Sequence, residues 1–185
     1  MTTRICLSSL SIKIGCDDKL VLAGPWCVNQ VTAQHLSNRK AQFESASSRT
    51  FSTEQFHTEA KECMRLYEKY SEVLADELNQ LHGTAYSLRY WETLLSGFLY
   101  PLAATVIDKC AVLNSLRERW PDSVLDIATD DRELLNPHCA PSFGGSRLLH
   151  FMIYGVIAVT TNILPYRKIP DDQIQDAVYL QGDGK

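Results

Sequence analysis

The sequence predicts an α/β fold that is rich in helix. Two short apolar runs have the length and composition of buried strands, residues 19–23 (KLVLA) and residues 123–129 (SVLDIAT). Between them lie two long segments with helical periodicity or uninterrupted apolar character. With 185 residues, 45% of them hydrophobic and 22% charged, the chain can bury a substantial core, and we expect residues 1–185 to form a single domain.

The first predicted strand ends at Gly24 and Pro25, a pair that is typical of a turn. Trp26 and Cys27 follow directly, so they lie where the strand leaves the sheet. In open α/β sheets, ligands bind beyond the carboxyl ends of the strands, which makes Trp26 a candidate substrate contact. The alternative is that Trp26 packs over the core and that Cys27 is a small buried thiol.

Residues 38–53 are polar and rich in serine, and this composition predicts an exposed connection before the first helix. Ser52 and Gln55 have the spacing of a capping box, which closes the start of a helix. Phe51 and Phe56 occupy the two positions of a hydrophobic staple. The helix is therefore expected to begin at about residue 53.

Apolar residues recur at helical spacing over residues 53–82, with charged residues on the opposite face, and Gly83 supplies a stop. A helix of this length measures about 45 Å, which leaves room for a partner domain or chain beside it. A second helix is expected to begin near Ser87, which is a good N-cap residue, and to extend to about Arg119.

The second helix differs in character from the first. Between Glu92 and Asp108 lie fifteen uncharged residues (TLLSGFLYPLAATVI), hydrophobic nearly all round. Such a pattern predicts a central helix that is buried on most sides. Gly97 permits the close approach of another element, and Pro101 removes one helical hydrogen bond and bends the axis.

Residues 148–165 form a strongly apolar run without a charged side chain. A membrane span needs about 20 mainly apolar residues, whereas this run contains histidine, threonine and asparagine and stops at Pro165. We therefore expect a buried helix, with membrane association as the alternative.

Prolines and glycines predict a loop over residues 137–146, and the composition of residues 170–185 predicts a polar tail.

The standard nucleotide and nucleophile motifs are absent from the chain: it has no G-x-x-x-x-G-K-[ST], no G-x-G-x-x-G and no G-x-S-x-G. It also lacks a D-x-D pair, which argues against a transferase that holds a sugar nucleotide through a metal. The five histidines have no zinc-like spacing to one another or to cysteine. The sequence thus predicts neither a metal site nor a cofactor.

The net charge and the distribution of cysteines limit which classes of binding partner and which cellular compartment we expect. A formal net charge of -4 gives no basic footprint for nucleic acid or anionic lipid. Six cysteines are scattered without a C-x-x-C pair, and no apolar run of signal-peptide length precedes them. We therefore expect a cytoplasmic protein with reduced thiols.

Two predicted helix starts have the composition of an anion site. Ser87 and Arg89 open the second helix, and Arg147 opens the apolar helix after a glycine pair. Backbone N–H groups at a helix start attract negative charge, and a guanidinium adds a bidentate contact. The alternative is simple capping.

Two further residues near the second helix start have two possible roles each. The ring of Trp91 can stack on a sugar or pack in the interior. His82 can act as an acid or base, or it can cap the carboxyl end of the first helix.

The run LHGTAYSLRYWETLLSGFL over residues 81–99, after KLVLAGPWC and a long helix, resembles the amino-terminal region of the LIC12162-type transferases. These are bacterial proteins associated with surface-carbohydrate biosynthesis. The resemblance extends from about Leu20 to about Trp120. The positions that carry it are Trp26, Cys27, His82, Ser87, Arg89, Tyr90, Trp91, Gly97 and Asp108.

This resemblance implies a Rossmann-like amino-terminal half of a two-domain, glycosyltransferase-like (GT-B-like) fold, so that the chain would be part of a longer transferase. It implies transfer from an activated sugar or polyol-phosphate donor to a glycan acceptor, with this chain on the acceptor side of the cleft. On this hypothesis His82 is the base and Arg89 the clamp, and both converge with Trp26. The alternative is a helix-rich interaction module without activity.

Overall fold

The computed structural model describes residues 2–8, 19–28, 43–46, 52–128 and 147–169. Five strands and three long helices lie within these ranges, together with a short 3-10 turn at Pro25–Cys27. The strands are β1 (Thr3–Cys6), β2 (Lys19–Leu22), β3 (Phe43–Ser45), β4 (Val124–Ala128) and β5 (Tyr166–Ile169). The helices are α1 (Thr53–His82), α2 (Leu88–Arg119) and α3 (Arg147–Thr161).

The strands form one parallel sheet in the order β3-β2-β1-β4-β5. Ile5 of the central strand β1 is paired with Val21 of β2 on one side and with Leu125 of β4 on the other. All three side chains are fully buried, as expected for a parallel sheet that is covered on both faces. The predicted α/β class is confirmed, and the sheet is compatible with a Rossmann-like core.

Three of the five strands do not follow from the sequence pattern. β1 and β5 each contain an arginine near their start, and β3 lies inside the predicted polar connection over residues 38–53. These strands are three or four residues long, and they form because neighbouring strands of the sheet offer hydrogen-bonding partners. The prediction of strands near residues 19–23 and 123–129 is confirmed by β2 and β4.

The apolar run near the carboxyl end of the chain is a buried helix. Phe151, Tyr154 and Ala158 of α3 are at most 1% exposed, and α3 packs against β4. Asn162 follows the helix with a φ of 48°, and β5 begins four residues later. The prediction of a buried helix within residues 148–165 is confirmed. The predicted loop over residues 137–146 and tail over residues 170–185 lie outside the described residues.

The chain divides into two compact units, residues 1–49 with 110–185, and residues 50–109. The first unit contains the sheet, α3 and the end of α2, and the second contains α1 and the remainder of α2.

In the second unit, α1 begins and ends where its sequence predicts. The backbone N–H of Gln55 donates to the Ser52 hydroxyl at 3.1 Å, and the Ser52 N–H donates to the Gln55 side chain at 3.1 Å. Both halves of the predicted capping box are therefore present. Gly83 ends the helix in the left-handed region, with a φ of 63°. Phe51, which belongs to the predicted staple, lies outside the described residues.

The second helix begins as predicted, because Ser87 accepts a hydrogen bond from the Tyr90 backbone N–H at 3.3 Å. The prediction that this helix is buried on most sides is wrong. Trp91, Leu99 and Ala103 are buried, but Leu94 is 59% exposed. An apolar composition all round the helix therefore does not ensure burial, since within the described residues a large part of its surface stays exposed.

Among the described helices, α2 is the one that is long and apolar enough to cross a membrane, judged by length and composition. Within the apolar 18-residue stretch of α2, only 17% is buried. This stretch differs from residues 148–165, where the sequence placed the membrane alternative.

Candidate functional site

The first candidate site lies at the carboxyl ends of β1 and β2. The Trp26 indole N–H donates to the carbonyl of Leu7 at 3.3 Å, and the Cys27 thiol donates to the carbonyl of Cys6 at 3.1 Å. The backbone N–H of Ala23 also donates to Cys6, at 3.0 Å. These contacts join the exits of two neighbouring strands. Since the strand order reverses between β1 and β4, this edge adjoins the place where open α/β sheets bind ligands.

Gly24 lets the Trp26 ring lie directly on the backbone. A Cβ at Gly24 would come within 2.3 Å of the ring carbons of Trp26, closer than any real side-chain contact. Trp26 nevertheless keeps 41% of its surface exposed, so the alternative that it packs over the core describes only part of the ring. Cys27 is fully buried, in agreement with the prediction of a small buried thiol.

A buried ion network joins the three strands β1, β4 and β5. Asp126 is fully buried, and one of its carboxylate oxygens accepts from the Arg4 guanidinium. The other oxygen accepts from Nε and Nη2 of Arg167, at 3.1 and 2.9 Å. Asp126 pairs in register with Cys6 and with Arg167, so these side chains share one face of the sheet.

Two guanidinium groups share this one carboxylate. Arg4 is buried, whereas the Arg167 side chain is 51% exposed. The sequence analysis missed these three residues. An aspartate inside the apolar strand VLDIA was the available signal, because a buried carboxylate needs a cationic partner.

The second candidate site lies at the turn between α1 and α2 and is organised by Asn79. Its Oδ1 accepts from the Thr84 hydroxyl at 3.0 Å, from the Tyr86 N–H at 2.9 Å and from the Trp91 indole at 3.0 Å. Its Nδ2 donates to the carbonyl of Tyr86 at 2.9 Å. One amide thereby fixes the whole turn. The sequence analysis did not single out Asn79, since its partners are up to twelve residues away.

Four aromatic rings gather around this turn. The centroids of Tyr86 and Tyr90 lie 4.3 Å apart, and those of Tyr90 and Trp91 lie 5.2 Å apart in an edge-to-face arrangement. The His82 ring stacks on Trp91 at 6.1 Å with an interplanar angle of 20°. Tyr86 and Tyr90 are 50% and 42% exposed. The cluster thus presents tyrosine surface to solvent above a buried tryptophan.

The structure places the predicted site residues in both units. In the second unit, His82 and Arg89 are exposed, Ser87 caps α2, and Trp91 is 8% exposed with its indole N–H bonded to Asn79. These residues lie within one helix junction. Trp26 belongs to the first unit, and its convergence with His82 and Arg89 stays a prediction.

Arg147 also belongs to the first unit, where it is the first residue of α3. Its side chain lies outside the described residues, so its role as an anion ligand stays a prediction. Across the part of the chain that the structure describes, no group of three or more histidine, cysteine, aspartate or glutamate residues is arranged to hold a metal ion.

Comparison with known proteins identifies the family of this chain. No curated protein matches the chain, and no solved structure matches it. The resemblance carried by residues 81–99 is confirmed and extended, because a family model matches well beyond Trp120. That model describes the LIC12162 family transferases and matches residues 3–179, most of the chain, so the protein belongs to the LIC12162 family of transferases.

Proposed function

We propose that this chain forms the acceptor side of a transferase that builds bacterial surface glycans. The reaction is the transfer of a glycosyl or polyol-phosphate group from an activated donor to a glycan hydroxyl. The observation that carries the proposal is the half-exposed Trp26 ring, held on Gly24 beside the switch point of a parallel sheet. Membership of a transferase family supports the reaction class.

Aromatic surface supports a carbohydrate acceptor. A sugar ring has an apolar C–H face that packs on an aromatic ring, while its hydroxyls bond to nearby polar groups. Trp26 offers such a surface in the first unit, and the paired rings of Tyr86 and Tyr90 offer another in the second. The proposal assigns the acceptor to the Trp26 surface.

Arginine placement supports a donor that carries phosphate. Arg89 lies one residue inside the start of α2, where the backbone N–H groups and the helix dipole favour negative charge. In the proposal, Arg89 binds the phosphate of the donor and stabilises the charge that develops when this phosphate leaves.

The proposed step needs a base and a charge acceptor. His82 takes the proton of an acceptor hydroxyl while the hydroxyl oxygen forms a bond to the electrophilic carbon or phosphorus of the donor. The bond from that centre to the leaving phosphate breaks, and the phosphate keeps the electron pair. Arg89 faces the resulting negative charge. His82 is exposed next to the helix junction, so solvent can remove its proton afterwards.

The test is a binding titration of the chain with a panel of nucleotide sugars and polyol-phosphate donors, followed by glycan acceptors. Arg89→Ala is expected to weaken donor binding about tenfold, as for loss of a charged hydrogen bond. Trp26→Ala is expected to weaken acceptor binding alone. Arg117→Ala, at an exposed position near the other end of α2, is the matched control. Equal donor affinity for Arg89→Ala and Arg117→Ala would remove Arg89 from the site.

A second function, a helix-rich interaction module without activity, is favoured by one observation. The side of α2 that carries Leu94 is apolar and exposed. If no donor on the panel binds while the chain still associates through this surface, the interaction module replaces the transferase proposal.

A further inference from the structure

An exposed apolar stripe runs along α2 in the second unit. It lies on the side of the helix opposite Trp91, Leu99 and Ala103, which are buried. Its residues follow one another at steps of four, three, four and three, the spacing of a helix–helix seam. The α2 stripe consists of Tyr90, Leu94, Gly97, Pro101 and Ala104, all of them exposed.

Gly97 has no structural cause among the described residues. A glycine inside a helix costs about 1 kcal/mol relative to alanine, and the roles seen at Gly83 and Gly24 do not apply to Gly97. Gly83 adopts a left-handed conformation, and Gly24 makes room for Trp26. A Cβ at Gly97 would meet nothing within 4 Å in the described part of the chain. The surface above Gly97 is therefore open on the described part of the chain.

The composition of the stripe favours protein over lipid as its occupant. The helix α2 as a whole is long and apolar enough to cross a membrane, but its uncharged run has only fifteen residues, so a span of about 20 residues would include charged side chains. Arg89 and Glu92 bound it on one side, and Asp108 and Lys109 bound it on the other. The net charge of -4 opposes adsorption to anionic lipid.

The stripe is complementary to itself when two helices run antiparallel and cross at Gly97. Tyr90 and Ala104 are both seven residues from Gly97, so the large ring of one copy faces the methyl group of the other. Leu94 faces the region of Pro101, and Gly97 faces Gly97. Such large-to-small pairing fills the space between two helices without a void.

The charges at the two ends of the stripe are also complementary. Arg89 is exposed beside one end, and the Asp108 side chain is 43% exposed at the other. An antiparallel pair brings the arginine of each copy toward the aspartate of its partner. In a two-fold interface every such contact occurs twice.

We propose that α2 binds a second copy of this chain, antiparallel and centred on Gly97. This inference goes beyond the transferase proposal and does not depend on it. The contact uses the side of α2 away from α1, so it leaves the buried face with Trp91, Leu99 and Ala103 in place. Because each stripe is short, the dimer dissociates on dilution.

Disulfide trapping tests the geometry. The wild-type chain, Gly97→Cys and Ala104→Cys are each treated with diamide, which takes up two electrons and two protons as two thiols form one disulfide. Gly97→Cys is expected to give a covalent dimer, because the residue lies on the two-fold axis. In the same dimer the two copies of residue 104 are about 21 Å apart, fourteen residues at 1.5 Å each, and cannot join.

The outcomes of trapping are distinct. Covalent dimer from Gly97→Cys alone supports the proposal. Dimer from both variants indicates parallel helices and overturns it, as does dimer from neither. The wild-type lane corrects for the six native cysteines. The substitution at Gly97 meets open space, so the variant is expected to fold, and circular dichroism checks this.

Sedimentation over a concentration series tests the contact without a new thiol. The wild-type chain is expected to double in mass as concentration rises, and Leu94→Glu is expected to raise the dissociation constant at least tenfold. Val73→Glu is the matched control, since Val73 on α1 is 48% exposed against 59% for Leu94. A wild-type chain that stays monomeric, or an equal effect of the two glutamates, overturns the proposal.

Discussion

Arg4 on β1 and Asp126 on β4 form a buried ion pair between residues that are 122 positions apart in the sequence. Arg167 on β5 completes the network from the other side. Burial of a carboxylate costs several kcal/mol unless cationic donors compensate it. This network therefore links the three strands that surround the switch point of the sheet.

Asp126→Asn is expected to lower the free energy of unfolding by about 3–5 kcal/mol. The substitution keeps the shape of the side chain but removes the carboxylate charge that the buried Arg4 contacts. Urea denaturation followed by circular dichroism measures the change. Arg167→Gln is the comparison, and because Arg167 is half-exposed we expect a loss of about 1 kcal/mol or less. A loss of similar size in both variants would contradict the central role of Asp126.

Asn79→Ala is expected to lower the free energy of unfolding by about 2 kcal/mol. The buried Trp91 indole and the Tyr86 N–H both lose their acceptor in this variant. Thermal denaturation measures the loss. Gln80→Ala, at the next and exposed position, is expected to change stability by less than about 0.5 kcal/mol. A small effect at Asn79 would mean that the aromatic rings hold the turn without it.

Gly24→Ala is expected to displace the Trp26 ring, because the new Cβ would lie 2.3 Å from it. Loss of the indole contact with Leu7 then exposes the ring, which acrylamide quenching of fluorescence detects. A double-mutant cycle is the sharper measurement. In the Trp26→Ala background the same change at Gly24 is expected to have almost no effect on stability. An equal cost in both backgrounds would locate the clash elsewhere.

The stability contributed by Glu44 is expected to depend on pH. The hydrogen bond from Lys19 holds the pKa of Glu44 below its ordinary value; the charges of Lys19 and Arg119 lower it further, against partial desolvation. Glu44 contacts Lys19 at 3.0 Å and Arg119 at 3.2 Å. A depressed folded-state pKa stabilises the fold above the ordinary glutamate pKa, and this contribution disappears as pH falls through the folded value.

The measurement compares wild type with Glu44→Gln by urea denaturation from pH 7 downward. The wild type is expected to be the more stable at pH 7, and the two proteins become equal in acid. High salt is expected to shrink the difference at pH 7, since these side chains are between 35% and 50% exposed. A difference that grows toward low pH would have the wrong sign.

The local features of this protein follow from its sequence because their causes lie within a few residues. Ser52, Gln55 and Gly83 set the ends of α1, and Ser87 sets the start of α2. Each of these groups satisfies backbone atoms of its own helix end. The apolar runs at β2 and α3 likewise reveal buried elements. Family membership also follows from the sequence, since the family model matches the order of the amino acids and does not depend on tertiary contacts.

Tertiary structure alone decided the rest. In the sequence, Arg4 and Arg167 argue against buried strands, because a buried guanidinium needs an acceptor. Asp126 supplies this acceptor, and it is 122 positions from Arg4 and 41 from Arg167. The sequence gives no sign of the role of Asn79, because the turn is what brings the Trp91 indole within hydrogen-bonding distance of its side-chain oxygen. The apolar character of α2 is visible in the sequence, yet the exposure of Leu94 is not. Composition fixes what a helix face prefers, whereas only the packing of its neighbours determines whether water covers it.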